Sequence, residues 1–575
     1  MSNQLIKKNQ LVFLKLRNTI RKIALSVLGL TTATTILAVT WSEQYRDKFT
    51  LICAGIFRST ATLAVCCLCM LDYKWLYFEY RNKGYKSEEY KAAQKVVHLC
   101  VAKRLLNLCK LHTGIYIKGG QHLASLTFII PKEYTDTLSI LQDRAPYRNM
   151  DDVKKIFYEQ FNGLTPKDLF SEFDEIPLAA ASLAQVHKAK TKYGDEVAVK
   201  VQYPDVYRLF NVDIWTMQTM SNIVSYFFPE FELTWIITEF KQNLISEFDF
   251  EKEARNGELT KQRFRHHANE MSIPKIYWDL TTKRILTMEF IHGVKINDID
   301  GLKKIGADPN WVRNILLEIF AEMIFCHGVI HCDPHPGNAL VTISPKTKKP
   351  QIVLLDHGLY RELSDDFRKT YCDLWKALVL NDSNALKVVS ESLGVPQYIQ
   401  FLPLIFAQRI SDSSTPLGED MSLEEKNIVR DQLHNITLSD FFDFLEALPR
   451  DMLLVFRTIN LVRGIHRQLG GSSIESFKMN AYYAIRGSWC ETREEEFSRV
   501  DHANKLGIKG DESMIGPVHK WYLFGSTPNF ARSLGFIKDL IVLTVRIYMA
   551  EIAIRIWRWW YFFSRSIGSP LVISL

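Results

Sequence analysis

The sequence predicts an α+β fold of two lobes, the first built on strands and the second on helices. A helical extension and a membrane anchor precede them. Three observations carry this expectation. Glu196-Val197-Ala198-Val199-Lys200-Val201-Gln202 alternates as a half-buried strand does, so Val197, Val199 and Val201 share one face and Lys200 lies on the other. His331-Cys332-Asp333-Pro334-His335-Pro336-Gly337-Asn338 sets an Asp and an Asn five residues apart. Ile352-Val353-Leu354-Leu355 is a short apolar run closed by Asp356-His357-Gly358. In this chain order they are the parts of a two-lobed protein-kinase-like fold.

The elements follow in order. Residues 1–42 carry Lys7, Lys8, Lys15, Arg17, Arg21 and Lys22, with no acid before Glu43. A basic, acid-free, partly apolar start is presequence-like and points to a mitochondrion; a secretory signal anchor fits the same pattern. Residues 23–41, Ile23 to Trp41, are free of charge and about long enough to span a bilayer as a helix. Phe49 to Leu71 is a second apolar stretch, interrupted by Arg58. An unpaired arginine in mid-span is costly, so this stretch reads as a membrane-apposed or buried helix.

From Glu88 to Tyr158 the apolar spacing is helical, with Lys118-Gly119-Gly120-Gln121 read as a helix-breaking turn. Residues 165–290 form a small α/β unit: an Ala-rich loop, the strand at Val197–Val201, a long helical region and strands near Arg284–Phe290. Residues 310–490 are mainly helical apart from the catalytic stretch. Leu534 to Phe563 is apolar with interspersed charges, suiting either a membrane interface or a packed helix.

The resulting segments are 1–22 presequence-like, 23–41 transmembrane, 42–90 connecting, 91–165 helical extension, 166–292 first lobe, 293–490 second lobe and 491–575 C-terminal helical region. The net charge of +7 on 575 residues is too small to suggest nucleic-acid binding. Ten scattered cysteines form no secreted disulfide framework, and Cys66 and Cys69 lack the second pair that a structural zinc site needs.

Phosphoryl transfer explains the residue types. Asp333 stands where a carboxylate orients a hydroxyl nucleophile, and Asn338 and Asp356 supply hard oxygen donors for Mg²⁺. The plainer reading is loop residues that satisfy turn backbone, which becomes hard to hold once Lys200 and Asp356 join them. His331 and His335 are four apart, but Pro334 and Pro336 exclude the regular helix that would align them for zinc. Lys200 needs an acidic partner. Ser246 to Asn256 reads as a helix carrying four acids, on which Asp249 and Glu253 share a face, and Glu253 is the chosen partner. His357 replaces the usual apolar middle residue of Asp-Phe-Gly. No G-x-G-x-x-G precedes Lys200. Ala179-Ala180-Ala181-Ser182 stands there instead, and alanines do not freely adopt positive φ.

Together these features resemble the UbiB (aarF-domain) atypical kinase-like family. Lys118-Gly119-Gly120-Gln121 resembles its K-x-G-Q motif, Ala179 to Ser182 its Ala-rich loop, Glu247-Phe248-Asp249 its E-x-D motif and His331 to Asn338 its catalytic loop. The Asp-His-Gly form and the apolar N-terminus are most similar to the mitochondrial subgroup. The resemblance implies a helical extension laid across the cleft, with Lys118 and Gln121 approaching Glu247 and Asp249 and covering the place where a protein substrate would dock. It implies ATP and Mg²⁺ as cofactors, with Ala179, Ala180, Ala181, Ser182 and Lys200 at the nucleotide. It also implies ATP hydrolysis more readily than protein phosphorylation, and a role in coenzyme Q or lipid homeostasis at the mitochondrial inner membrane. The partner would then be a membrane lipid or lipid-like small molecule. A small-molecule or lipid kinase and a catalytically silent ATP-binding scaffold remain as alternatives.

Overall fold

The computed structural model describes residues 43–82, 87–126, 130–142, 148–229, 234–380, 382–399, 402–403, 406, 447–489, 535 and 538–545. The segments expected at 1–22 and 23–41 lie outside them. The chain divides into two units, one within Met1–Lys252 and Ile276–Phe290, the other within Glu253–Lys275 and Ile291–Leu575.

In the first unit, helix α1 (Glu43–Tyr80) takes in the whole second apolar stretch. Among the described residues it is the one helix long and apolar enough to cross a membrane, over Phe49–Tyr80. Arg58 is paired. Its Nε donates to Asp213 Oδ1 at 2.8 Å, its Nη2 to Asp213 Oδ2, and its Nη1 to the His112 carbonyl. Ser59 and Thr216 hydroxyls meet at 2.7 Å, and Thr62 and Tyr116 hydroxyls at 2.8 Å. A row of polar contacts thus holds α1 against the helices that carry His112, Tyr116 and Asp213.

Helix α2 (Glu88–His112) starts where the Ser87 hydroxyl accepts the Tyr90 N–H and carries Glu88 and Glu89 in its first turn. It ends at Thr113 and Gly114, with φ of 55° and 52°, a reversal that leads straight into α3 (Ile115–Ser125). Gly119 and Gly120 lie inside α3 and are not a turn. A Cβ on Gly120 would stand 2.4 Å from Leu141 Cδ1 and 3.1 Å from Cys109 Sγ, so the glycine is kept for close approach. Helices α4 (Lys132–Leu138), α5 (Met150–Gln160) and α6 (Pro166–Leu169) follow, the last two opened by side-chain caps from Asn149 and Thr165.

An antiparallel sheet then runs in the order β1 (Phe170–Phe173), β3 (Ala184–Thr191), β4 (Glu196–Gln202), β6 (Ile285–Glu289), with β2 (Ala179–Ala180) also on β3. Val197, Val199 and Val201 are buried with Ile156 and Phe157 of α5, each valine contributing about 1.5 kcal/mol or more. Helices α7 (Pro204–Phe227) and α8 (Thr234–Glu247) close a second core around Phe210, Phe240 and Leu244. The helix expected through Ser246–Asn256 is broken. Its first part ends at Glu247, and Asp249 caps the new start by accepting the Lys252 N–H at 3.1 Å.

That new helix, α9 (Phe250–Arg263), passes into the second unit. There β5 (Met271–Ser272), β10 (Pro350–Leu354), β9 (Ala339–Ile343) and β7 (Val294–Lys295) form one sheet in that order, and β8 (Val329–His331) pairs with β11 (Tyr360–Glu362). Further described α-helices are α10 (Ile299–Lys304), α11 (Pro309–Glu322), α12 (Asp365–Leu380), α13 (Ser383–Ser392), α14 (Arg450–Gln468) and α15 (Ser473–Ser488). A π-helical turn, Met323–His327, continues α11 and leads through Gly328 into β8. The fully buried Arg368 guanidinium donates to the carbonyls of Phe325 at 2.9 Å and Gly487 at 3.0 Å. Of the apolar stretch near the C-terminus, residues 538–545 are a described helix, and its Asp539 accepts the Trp489 indole N–H at 3.1 Å and pairs with Lys376.

The α1 ion pair yields a stability test. Asp213 is almost fully buried, so Arg58→Ala leaves its carboxylate without a guanidinium. Burial already raises the Asp213 carboxyl, and protonation softens the loss, so the cost is expected near the lower end of the 3–5 kcal/mol typical of a broken buried pair, about 3 kcal/mol. Arg58→Met with Asp213→Leu should recover most of it. Denaturant midpoints of the three proteins decide the matter; a near-neutral Arg58→Ala would show that the pair does not hold α1.

Candidate phosphoryl-transfer site

Strand pairing gathers the second-unit residues. In the β9–β10 hairpin Ala339 faces Leu354, so Asn338, just before β9, and Asp356, just after β10, emerge at the same end. The Leu355 N–H confirms the closeness by donating to the Asn338 carbonyl at 2.9 Å. The β8–β11 pair sets His331 opposite Tyr360, and the Cys332 N–H donates to the Leu359 carbonyl at 3.0 Å. Asp333 follows directly. Asn338 Nδ2 donates to the Asp333 carbonyl at 3.3 Å, which leaves the Asn338 amide oxygen as the end with lone pairs to offer. The Asp356 carboxylate accepts the Gly358 N–H at 3.0 Å, a turn that fixes its direction. Carboxylate plus amide oxygen is the donor chemistry Mg²⁺ takes, so these residues fit that ion. Neither His331 nor His335 aims at a shared ligand. His331 Nδ1 accepts the Asp333 N–H and His335 Nδ1 the Gly337 N–H.

Arg457 of α14 was invisible in the sequence, 124 residues from its partner. Its Nη2 lies 3.4 Å from Asp333 Oδ1, placing a cation at the carboxylate that would orient a nucleophile. His357 is equally informative. It is buried, its Nδ1 meets the Tyr360 hydroxyl at 2.8 Å, and its Nε2 meets the Leu354 carbonyl at 3.2 Å. The carbonyl can only accept, so Nε2 carries the proton and Nδ1 accepts from Tyr360. Asn256 Nδ2 donates to the His357 carbonyl at 3.0 Å, and Thr260 contacts the Tyr360 hydroxyl at 3.0 Å. Where Asp-Phe-Gly offers apolar packing, this chain ties the residue after Asp356 to α9 with hydrogen bonds.

In the first unit Lys200 stands on β4, and its Nζ lies 5.0 Å from the Phe250 ring centre. Its chosen partner Glu253 belongs to the second unit, where it is buried on α9. The Ala-rich segment is not wholly a loop. Ala179 and Ala180 pair with Val186 and Gln185, and the Ala181 N–H closes the turn on the Ala184 carbonyl at 2.8 Å. Among the described non-glycine residues only Thr113, Asn162 and Lys348 have positive φ, so this hairpin turns in space any L-residue adopts. Ser182 is buried within it. Beneath it His187 shares hydrogen bonds with the Asp174 carbonyl at 2.7 Å and with Gln185 Nε2 at 2.9 Å.

The motif residues on the helices meet only in part. Lys118 Nζ lies 2.8 Å from Glu247 Oε2, as the resemblance implied. Gln121 instead donates to the Leu141 carbonyl at 2.8 Å, and Asp249 is engaged as the α9 cap. The two glycines put Lys118 and Gln121 on a helix, three residues apart, so one side chain reaches α8 while the other secures the segment around Leu141.

Comparison with known proteins places these features. The ABC1 atypical kinase-like domain model matches residues 140–390. The Dictyostelium discoideum protein described as probable serine/threonine-protein kinase abkD is 42% identical over 420 residues, 73% of this chain; the match spans only 59% of that protein's length. AarF domain-containing protein kinase 1 of Xenopus laevis is 40% identical over 409 residues, 70% of this chain and 77% of its own. A solved Mycobacterium tuberculosis chain, in complex with erythromycin, aligns over 67% of this chain and 95% of its own at 22% identity, with a TM-score of 0.41.

The alanine hairpin's support yields a pH test. Burial holds the His187 imidazolium disfavoured, so its value lies below the ordinary one of about 6.5, although the Asp174 carbonyl opposes the shift. The unfolded chain therefore takes up this proton before the folded one does. Stability from this residue is present above about pH 6.5 and is lost as pH falls below it. His187→Gln should flatten that acid slope, and unfolding midpoints across the range read it. An unchanged slope would place the titration elsewhere.

Proposed function

This chain belongs to the ABC1 atypical kinase-like family, and on that premise we propose that it uses Mg²⁺–ATP as a phosphotransferase or ATPase at a mitochondrial membrane. Its kinase-like phosphotransferase character is the family's. The observation that carries the finer reading is the convergence of Asp333, Asn338 and Asp356 at one end of the β9–β10 hairpin. ATP held with Mg²⁺ supplies the transferable phosphoryl group. Asn338 and Asp356 would hold the ion through oxygen, and Lys200 with Ala179, Ala180, Ala181 and Ser182 would bind the phosphates. Asp333 orients the attacking oxygen, a water or a hydroxyl, and accepts its proton; Arg457 holds the carboxylate in place until then. Glu253 is proposed to orient Lys200. Lys118, with its ion pair to Glu247, is proposed as a cover that disfavours protein substrates, which supports hydrolysis or transfer to a small molecule. The basic, acid-free first 42 residues and the apolar α1 support membrane association, and coenzyme Q or lipid homeostasis is the proposed setting.

ATP turnover by the purified chain, with and without membrane lipids, tests the reading. Asp356→Asn removes one negative charge from the ion's site and is expected to lower Mg²⁺-dependent nucleotide affinity by about 10-fold or more, while Asp333→Asn should lower turnover and leave binding in place. Unchanged ATP-dependent thermal stabilisation of Asp356→Asn in Mg²⁺ would remove that residue from the site. Nucleotide binding without turnover, lipids present, would favour the silent scaffold.

The hairpin can be tested independently. Ala180→Gly frees a backbone that β2 now constrains, letting amides approach a phosphate. Nucleotide affinity should change, with phosphate appearing first on the protein itself, and Ala180→Gly/Asp333→Asn should abolish that label. Identical affinity and labelling in wild type and Ala180→Gly would mean the hairpin does not touch ATP.

A further inference from the structure

Four side chains with no part in phosphoryl transfer converge inside the second unit. His266 and His267 occupy the 3₁₀ turn Arg265–His267 after α9, Glu322 ends α11, and His327 ends the π turn. Glu322 has no exposed surface, and His267 and His327 are buried. His266 Nε2 lies 2.8 Å from Glu322 Oε1, His267 Nε2 3.1 Å from Oε2, and His327 Nε2 3.4 Å from Oε1. The ligand atoms of His266, His267 and Glu322 all fall within 4.8 Å of one another, and among the described residues no other such group occurs.

We propose that His266, His267, Glu322 and His327 form a structural Zn²⁺ site that fixes the segment leading into the catalytic loop. Nitrogen and oxygen donors at about 2.0–2.1 Å around a tetrahedral zinc stand about 3.3 Å apart; the His266 and His327 contacts to Glu322 Oε1, 2.8 and 3.4 Å, lie either side of that spacing, while His267 meets the other oxygen and His327 would have to draw closer to complete the set. The π turn makes the arrangement possible. Five residues along an α-helix rotate the side chain about 140° away, whereas the i to i+5 register of a π turn stacks Glu322 and His327.

The plainer reading is a buried carboxylate held by imidazole N–H groups alone. Burial raises the Glu322 carboxyl, but His266, Arg486 and the hydrogen bonds from His266 and His267 outweigh it and keep the group ionised. Arg486 thus already supplies one cation. In that reading each Nε2 must carry a proton and each Nδ1 needs a donor. His266 Nδ1 is buried with no hydrogen-bond partner. His267 Nδ1 lies 3.6 Å from Glu270 Oε2, so a carboxylate stands behind the ring on the side away from Glu322. A carboxylate behind an imidazole is the usual second layer of a metal site. Phe264 walls the group, stacked on His266 and edge-on to His327. Zinc here would join the end of α9 to the turn that enters β8, and His327 precedes Asp333 by six residues.

The test uses the full chain in detergent, purified without a polyhistidine tag from zinc-supplemented cells. About one zinc per chain should survive desalting, a chelator should lower the melting temperature, and Co²⁺ in its place should give the absorption of a four-coordinate site. His266→Gln and His267→Gln should each weaken Zn²⁺ binding by about 100-fold, read on protein whose far-ultraviolet dichroism matches wild type. His266, the least buried ligand, is the substitution the fold should best tolerate, and the wild-type Co²⁺ spectrum needs no variant. Wild type without bound zinc and with a six-coordinate Co²⁺ spectrum would overturn the proposal. So would folded variants that bind zinc as wild type does.

Discussion

The carbonyl oxygen of Phe325 sits where three helices meet, and the second unit is arranged around satisfying it. Carbonyls at the end of a helix lack intrahelical partners and must find them elsewhere. Arg368 of α12 supplies one, with the same guanidinium nitrogen also reaching Gly487 of α15. The approach is so close that a Cβ on Gly487 would stand 2.3 Å from the Phe325 oxygen, so α15 needs a glycine there. A buried guanidinium with two carbonyl partners admits few alternative positions for the helices that carry it. The π turn locked in this way delivers the chain into β8, and β8 delivers Asp333. The geometry of the proposed base therefore depends on a residue that never meets a substrate.

A second consequence concerns the Asp356 carboxylate. An apolar residue after Asp356 could pack in more than one orientation, since dispersion contacts are not directional. His357 has both ring nitrogens bonded and one tautomer, and its main-chain carbonyl is held by Asn256. Directional bonds on three sides favour a single setting of the Asp-His-Gly turn. Gly257 lets α9 come this close, a Cβ there standing 3.1 Å from His357 Cδ2.

Local patterns were legible in the sequence, and long-range partners were not. The period-two alternation of Glu196–Gln202 marked β4, and the apolar run before Asp356 marked β10, because both signals are written in adjacent residues. Asp249 was read as helical because four acids in a row of helix formers hide a boundary; its carboxylate caps α9 instead. Gly119-Gly120 read as a turn because the sequence does not show that Leu141 and Cys109 crowd the helix that carries them. Arg58 could not be matched to Asp213, nor Arg457 to Asp333, since nothing local links residues more than a hundred positions apart. The resemblance implied one destination for Lys118 and Gln121, but the helix sends Gln121 to Leu141.

The helical extension and the alanine hairpin bear on the same chemical question. Lys118 pairs with Glu247 across α3 and α8, and both helices share packing with α7, which also anchors α1 through Asp213. Displacing Lys118 would therefore disturb a connected core and not a loose flap. Moving Lys118 away would mean breaking its ion pair and unpacking Phe240 and Ile115 together. The hairpin makes the complementary restriction. The Leu178 and Ala181 N–H groups are spent on the Val186 and Ala184 carbonyls of β3, whereas a glycine loop could turn its amides toward a phosphate. Rigidity at both places comes from the same source, since each segment is held by bonds to a neighbouring element that a lone loop would lack.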